Sequence, residues 1–220
     1  MKKTSYHGND WIGMFVRANN EFTLVPIDST NKFTDAFEEN LKTRCIKTSM
    51  GGTDILGSYI AMNSNGIILP NIAFPEEIEK IKKETGLNVY VNKSIHNSNG
   101  SNIVVNDKGG IINPRIDKKD RKVIEEVLQI ELHEMEISGY FTVGSNVIAN
   151  NKGFIANFKI SEEEMEKMGE IFKVKGMKGT INMGTGFVSI GVVANDNGYV
   201  VGNMSTSYEM GRVEESLGYL

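Results

Sequence analysis

The chain contains few of the residues that build disulfides and metal centres. Its 220 residues include one cysteine, one tryptophan and three histidines. A single cysteine cannot form an intrachain disulfide, and it excludes metal sites built from several cysteines. The three histidines, His7, His96 and His133, show no local metal-ligand spacing such as H-x3-H. The sequence therefore predicts neither a metal site nor a bound cofactor.

Long apolar segments and blocks of basic residues are also missing. No apolar run approaches the roughly 20 residues that a membrane helix needs, and residues 1–10 lack the apolar core of a secretory signal. Acidic residues outnumber basic ones by 28 to 24, so the net charge of −4 has the wrong sign for wrapping nucleic acid. These absences favour a cytoplasmic protein without a membrane anchor, and the acidic surface suits a basic partner.

One 14-residue motif, by contrast, occurs five times along the chain. It is clearest at residues 57–70, 100–113 and 144–157, where the last copy reads GSNVIANNKGFIAN. Degenerate copies occupy residues 13–26 and 189–202. Self-similarity of this kind is typical of repeat architectures.

The period of the repeat accounts for the whole chain. The glycines that end the Asn-x-x-Gly step are spaced 43, 44 and 45 residues apart; they are Gly66, Gly109, Gly153 and Gly198. Phe22 holds the same place 44 residues before Gly66. Five periods of about 44 residues fill the sequence, so we predict one domain over residues 1–220 made of five repeats.

Each repeat is predicted to contain two strands, a helix and a third strand, a ββαβ unit. In the second repeat, residues 58–62 and 67–69 are short and β-permissive. Asn63 begins a turn between them, and Gly66 supplies a residue that is free to take a positive φ. Repeated asparagines and glycines at these places are expected to be structural: Asn63, Gly66, Asn106, Gly109, Asn150, Gly153, Asn195 and Gly198.

The helix and third strand follow in the same order in each repeat. Pro75 suits the first turn of the second helix and Gly86 its end, before a strand over residues 87–91. The other helices are expected at residues 34–42 and 118–128, and after capping boxes at Ser161 and Thr206. The other third strands are expected at residues 44–48, 131–137 and 172–175.

The fifth repeat ends without its third strand. The chain stops after the helix, but residues 2–6 precede Gly13 at the distance by which third strands precede the other repeats. We therefore predict a ring of five units that is closed by the N-terminal strand, as in many propellers. Closure removes two sheet edges that would otherwise promote aggregation.

Several segments resemble the archaeal and eukaryotic translation initiation factor 6 family. The resemblance rests on the period, on GSNVIANNKG at residues 144–153 and on NDKGGIINP at residues 106–114. Further matches are Met50-Gly51-Gly52, Thr180-Ile181-Asn182 and the Ser-Thr-Ser-x-Glu segment at residues 205–209. They cover the whole chain in order, and the length is similar to that of archaeal members.

The resemblance implies a fold and a function without chemistry. The fold is an α/β (α+β) pentein, in which five ββαβ-type units surround a pseudo-five-fold axis as an α/β propeller. The function is binding of the large ribosomal subunit, which sterically prevents its association with the small subunit. The implied partners are a uL14-type ribosomal protein, with the sarcin–ricin loop of the rRNA nearby, and the implied factor is a monomer without catalytic residues.

The resemblance places ribosome binding at the ends of the units where the motif begins. Asn102 and Asn146 are the third residues of the G-S-N segments, at the start of the first strand. The Asn-x-x-Gly turns lie about six residues further on, which corresponds to about 20 Å along an extended strand. One compact partner is not expected to reach both ends. The residues implied in ribosome binding are Gly13, Gly57, Ser58, Gly100, Asn102, Gly144, Ser145, Asn146 and Asn182.

Two alternatives remain. The pentein fold also includes guanidine-modifying enzymes that use a cysteine, a histidine and acidic residues, so Cys45 is a candidate nucleophile. However, Cys45 lies in a predicted strand of the first repeat, where a free cysteine usually packs in the core. The other alternative is a pentein scaffold that binds a different protein. We therefore predict a non-enzymatic ribosome anti-association factor.

Overall fold

Five separate three-stranded sheets correspond to the five predicted repeats. The computed structural model describes residues 2–220, and over that range no strand is shared between two sheets. Each unit also contains one helix of 10 or 11 residues. The chain has a mixed α/β fold built from five similar units.

Each unit begins with a single helical turn that leads into its first strand. The first unit contains α1 (Ile12–Phe15), β2 (Arg17–Ala18), β3 (Phe22–Pro26), α2 (Asn31–Leu41) and β4 (Arg44–Thr48). The second contains α3 (Leu56–Tyr59), β5 (Ala61–Met62), β6 (Gly66–Pro70), α4 (Pro75–Thr85) and β7 (Asn88–Asn92). The third contains α5 (Asn99–Asn102), β8 (Ile103–Val105), β9 (Gly110–Ile112), α6 (Lys118–Leu128) and β10 (Leu132–Glu134).

The last two units follow the same plan. The fourth contains α7 (Val143–Asn146), β11 (Val147–Ala149), β12 (Phe154–Asn157), α8 (Glu162–Phe172) and β13 (Gly176–Gly179). The fifth contains a 3-10 turn (Val188–Ile190), β14 (Val192–Ala194), β15 (Tyr199–Gly202) and α9 (Ser207–Ser216). Its third strand is β1 (Lys3–Thr4), from the other end of the chain.

The pairing of β1 agrees with the prediction for the N-terminal segment. Lys3 lies opposite Val201 and Thr4 opposite Gly202 in a parallel ladder. Only two of residues 2–6 belong to the ladder, which is shorter than the sequence suggests. The first and last segments of the chain therefore share one sheet.

Strand direction gives every unit two distinct ends. The middle strand runs antiparallel to the first strand and parallel to the third in all five sheets. Parallel strands end at the same edge, so the chain leaves the middle and third strands at one end and enters the first strand there. We call this end the loop face and the opposite end the turn face.

The two faces are defined by the following segments. The loop face contains the links from middle strand to helix, residues 27–30, 71–74, 113–117, 158–161 and 203–206, and the first turns of the helices. It also contains the links from third strand to helical turn, residues 5–11, 49–55, 93–98, 135–142 and 180–187. The turn face contains the links from first to middle strand and the C-terminal ends of the helices.

The first strands are shorter than the sequence predicts. A strand was expected over residues 58–62, whereas Leu56–Tyr59 forms the helical turn α3 and only Ala61–Met62 is extended. The G-S-N segment at residues 100–102 likewise lies in a helical turn and not in a strand. The helical turn brings its glycine against the neighbouring unit, as described below.

The prediction of a strand at residues 172–175 is wrong. Helix α8 continues through Phe172, and Lys173 ends it in the left-handed conformation with a φ of 55°. Ile171 and Phe172 are the buried face of that helix, and the strand follows only at Gly176–Gly179. Apolar β-forming residues therefore serve a helix here, whereas a segment with two glycines forms the strand.

The remaining boundaries shift by a few residues or not at all. Residues 44–48 and 118–128 have the predicted bounds, and Pro75 and Gly86 flank α4 as expected. Helix α2 begins at Asn31, because Thr30 caps it by accepting the Phe33 N–H. The predicted strands 87–91 and 131–137 are Asn88–Asn92 and Leu132–Glu134.

The hydrophobic core is divided among the junctions between units. Each of five apolar clusters contains residues of two consecutive units, and one of them joins the fifth unit to the first. In that cluster Val193 and Val200 of the fifth unit pack with Phe33 and Phe37 of α2. A single unit therefore buries its apolar side chains only with a neighbour. No described helix has the length and apolar character needed to cross a bilayer.

Candidate functional site

Five buried asparagines shape the links of the turn face. They occupy equivalent positions in the units and are Asn19, Asn63, Asn106, Asn150 and Asn195. Each Oδ1 accepts the backbone N–H groups two and three residues further on, as Asn150 accepts those of Lys152 and Gly153 at 2.9 and 2.8 Å. The bond to the Gly153 N–H group is buried, so it satisfies a donor that water does not reach.

The same side chains connect each unit to the next. The Nδ2 group of Asn19 donates to the backbone oxygen of Asn63, and Asn63 to Asn106, Asn106 to Asn150 and Asn150 to Asn195. Asn195 donates to the backbone oxygen of Asn19 at 2.9 Å, which completes a cycle of five bonds. Four of the amides also donate to the last carbonyls of a helix, at Leu41, Leu128, Phe172 and Leu217.

The glycines of these turns serve close packing and not a positive φ, which corrects the prediction. None of Gly66, Gly109, Gly153 and Gly198 has a positive φ. A Cβ on Gly153 would lie 2.0 Å from the carbonyl oxygen of Ser216, and the other three face a helix end in the same way. Glycine is therefore needed because the C-terminal end of a helix presses against the turn.

In the first unit the equivalent turn contains no glycine. Phe22 stands at the glycine position, and Asn19 still accepts the N–H groups of Glu21 and Phe22 at 2.9 Å. The turn forms without glycine, because its backbone needs no positive φ. The Asn19 amide donates to the Asn63 oxygen but, unlike the other four, not to a helix end. Phe22 is buried.

On the loop face a second set of close approaches joins the units. A Cβ on Gly57 would lie 2.0 Å from the Gly13 oxygen, one on Gly100 would lie 2.0 Å from the Gly57 oxygen, and Gly144 faces Gly100 similarly. Gly13 faces the oxygen of Ser189, whose hydroxyl donates to the Gly144 oxygen. The four glycines implied in ribosome binding are thus buried contacts between units.

The implied asparagines lie on the loop face but are buried within it. Asn102 and Asn146 are 5% and 0% exposed and donate to backbone oxygens four residues earlier, Ser98 and Thr142, at 3.0 Å. Asn182 is also buried, and it donates to the Asp10 oxygen at 2.8 Å. These amides hold the loops in place. Ser58 and Ser145, in contrast, are partly exposed.

Glutamates at the start of three helices fasten the preceding loops. Glu77 accepts hydrogen bonds from the N–H groups of Gly51, Gly52 and its own N-cap residue Phe74. Glu209 and Glu164 bind the loops before them in the same way, through Gly184 and Ser138. The carboxylate of a capping box therefore also ties its unit to the previous one.

The charge of these carboxylates is stabilised in the folded protein. Burial alone would raise the pKa of Glu77 and of Glu209, but their hydrogen bonds outweigh it, and each pKa lies below its ordinary value of 4.5. For Glu77 the donors are the Ser49 hydroxyl and three backbone N–H groups. A carboxyl group with a lowered pKa contributes stability above its unfolded pKa and loses it as the pH falls.

We expect the protein to lose stability as the pH falls below 4.5, towards the lowered pKa values of Glu77 and Glu209. The double variant Glu77→Gln, Glu209→Gln is expected to be less stable at pH 7 and to show a weaker decrease between pH 5 and pH 3, since it has no charge to lose there. Urea unfolding at each pH measures the change. The control is Glu79→Gln, an exposed residue of α4. Equal acid sensitivity of all three proteins would contradict this assignment.

Exposed apolar side chains are concentrated on the loop face. Ten large apolar residues are exposed among the described residues, and nine of them lie on this face: Ile27, Ile72, Phe74, Ile95, Tyr140, Phe158, Met183, Met204 and Tyr208. The tenth, Leu220, lies at the end of the chain. Ile95, Tyr208 and Met183 are 90%, 77% and 69% exposed. Clustered exposed apolar residues mark a surface for protein interaction.

The environment of the Cys45 thiol does not favour the nucleophilic thiolate. It is half-buried in β4, and its Sγ–H group points to the Thr34 oxygen at 3.6 Å. Burial, together with the nearby carboxylates of Glu38 and Asp35, raises the pKa of the Cys45 thiol to about 12. The reactive thiolate is therefore scarce at neutral pH.

Similarity to known proteins identifies the family of the chain. A model of the eIF-6 family matches residues 1–216. The chain belongs to the eIF-6 family. The family is one of translation factors.

Three relatives of similar length are 33–38% identical to the chain. Translation initiation factor 6 of Natronomonas pharaonis is 38% identical over 220 residues, which is 100% of both chains. The protein of the same name from Archaeoglobus fulgidus is 37% identical over 98% of this chain and 99% of its own. That of Picrophilus torridus is 33% identical over 99% of both.

Among the solved structures that are similar to part of the chain is a deiminase. Agmatine deiminase of C. jejuni covers 74% of this chain and 60% of its own at 17% identity, with a TM-score of 0.38.

Proposed function

We propose that the protein binds the large ribosomal subunit through its loop face and thereby sterically prevents association with the small subunit. Membership of the eIF-6 family supports the ribosome as the partner. The observation that carries the choice of face is the presence of nine of the ten exposed large apolar residues there. The turn face, with its asparagine cycle, exposes none of these nine residues.

A protein surface suits this face better than an rRNA groove. Aromatic residues and methionine are enriched at protein interfaces, and the loop face exposes both. The net charge of −4 offers no general attraction to phosphates. We therefore propose that the direct partner is a uL14-type ribosomal protein and that the sarcin–ricin loop lies nearby.

The residues implied by family resemblance divide into two roles. Ser58 and Ser145 are partly exposed on the loop face and are proposed as direct contacts. The buried Gly13, Gly57, Gly100, Gly144, Asn102, Asn146 and Asn182 are proposed to act indirectly, by holding the loops in a shape that the partner fits. Substitution of these buried residues would reduce stability as well as binding.

We further propose that the five units surround a pseudo-five-fold axis as one pentein domain that acts as a cytoplasmic monomer. The cycle of asparagine bonds and the cluster shared by the fifth and first units support the ring. An enzyme of the guanidine-modifying kind is not favoured, because the raised pKa of Cys45 leaves little thiolate for attack.

The proposed face is tested by the double variant Met183→Ser, Tyr208→Ser. Both side chains are exposed on the loop face, and Glu209 connects their segments by accepting the Met183 N–H at 3.2 Å. If each anchor contributes about 1–2 kcal/mol, binding should weaken roughly 30-fold or more in cosedimentation with purified large subunits. The melting temperature should stay nearly unchanged, because exposed side chains contribute little to folding.

The control is Leu220→Ser, which alters an equally apolar and 87% exposed side chain away from the loop face. It should bind like the unchanged protein. If the unchanged protein does not cosediment with large subunits, or binds small subunits more tightly, the proposed function is wrong. If the double variant and the control bind equally well, the proposed function remains possible but the loop face is not the binding surface.

A further inference from the structure

A cavity lies between the first strands of all five units. Its lining takes residues from each unit, among them Val16, Ala61, Val104, Val147 and Val193. Apart from one arginine, the lining residues are aliphatic, methionine, alanine or glycine. The walls therefore provide almost no side-chain polar groups.

Arg17 is the one charged residue of that lining. It belongs to β2, and its Nη2 group donates to the backbone oxygens of Gly57 and Gly100, the latter at 3.2 Å. The guanidinium lies directly against the Gly100 Cα, since a Cβ there would meet Nη2 at 2.3 Å. The glycine contacts between units thus leave room for the arginine.

The positive charge of Arg17 has no negative partner among the described residues. None of their ion pairs includes Arg17. Its Nε group is buried and has no acceptor in the protein. Burial lowers the pKa of Arg17 to about 10, so the group still carries its proton at neutral pH. Because the charged Nε–H group is buried without an acceptor, its desolvation is unfavourable, and a bound counterion would relieve that penalty.

We propose that this cavity binds one small monovalent inorganic anion, chloride in solution, through the Nε–H group of Arg17. One guanidinium balances one negative charge. A phosphate or sulfate would need several further side-chain donors, and the lining has no charged or polar side chain besides Arg17. Asp107 and Asp196 border the adjoining opening at the turn face, which shares Ala18 with the cavity but is not lined by Arg17. The anion would therefore neutralise the arginine that joins the first, second and third units.

Bromide tests the site directly, because it replaces chloride and scatters anomalously. Crystals of the full chain grown with sodium bromide should show one anomalous peak in the cavity, within hydrogen-bond distance of Arg17 Nε. The peak should be absent from Arg17→Met crystals and present in those of Arg44→Met, an exposed arginine paired with Glu84. Water alone at this position in the unchanged protein would overturn the proposal.

Thermal unfolding supplies a second measurement that needs no crystal. Sodium chloride should raise the melting temperature of the unchanged protein and of Arg44→Met above its value in sodium gluconate of equal ionic strength, because gluconate is too large for the cavity. Should Arg17→Met fold, its two melting temperatures should agree. Equal melting temperatures of the unchanged protein in both salts, or an undiminished chloride effect in Arg17→Met, would overturn the proposal.

Discussion

Deletion of residues 1–6 is expected to lower the free energy of unfolding by roughly 3–5 kcal/mol. The deletion removes β1 and leaves β15 with an open edge. It also removes the buried Tyr6 ring, which packs against Phe15 and Phe33 with ring centroids 4.7 and 5.4 Å away. Burial of one large side chain accounts for about 1.5–3 kcal/mol of this loss.

Urea unfolding of the truncated chain measures the effect, and removal of Leu220 is the matched control. Leu220 is terminal as well, but it is 87% exposed, so its loss should change stability by less than about 0.5 kcal/mol. A truncated chain as stable as the full one would show that β1 is dispensable. It would also remove the main support for a ring closed by the N-terminal strand.

The substitution Gly144→Ala is expected to destabilise the protein by about 3 kcal/mol or more. Its Cβ would lie 2.2 Å from the Gly100 oxygen and 2.6 Å from the Ile103 oxygen. Both obstacles are backbone atoms of the third unit, so no side chain can rotate away. The third and fourth units would have to separate, which disturbs the apolar cluster that they share.

Gly211→Ala is the control for this substitution. Gly211 lies inside α9, and a Cβ there meets no atom within 4 Å. Alanine should stabilise the helix by about 0.5–1 kcal/mol, so the two variants are expected to change stability in opposite directions. Equal effects of both substitutions would mean that the packing of Gly144 is not limiting.

The repeat, the helices and the N-terminal strand could be predicted because their signals are local or periodic. Ser161 with Glu164 and Thr206 with Glu209 form the expected capping boxes. The repeat period alone predicts that residues 2–6 lie beside the fifth unit. The strand at Gly176–Gly179 could not be predicted, because only its pairing with Phe154–Asn157 makes it extended. Its own residues have weak β-propensity.

The packing role of the turn glycines could not be predicted for a similar reason. A glycine that follows an asparagine turn indicates a positive φ, but Gly153 faces Ser216 from a distant part of the sequence. Contact across units leaves no local pattern. Burial of Asn102 and Asn146 was missed in the same way, since a G-S-N segment in a helical turn differs from one in a strand only once the neighbouring unit is placed. The exposed apolar residues of the loop face share no common spacing in the sequence.

Every apolar cluster is shared between two units, and this limits how the number of repeats can change. An open stack of repeats can grow or shrink at its ends, because its terminal members have a free side. Here the cluster of Tyr6, Phe33 and Val200 gives the last unit a neighbour as well. In the proposed ring, insertion or loss of one unit would alter the angle at every junction at once. Duplication of a single repeat, a common route by which repeat proteins lengthen, would therefore not be accommodated in that ring.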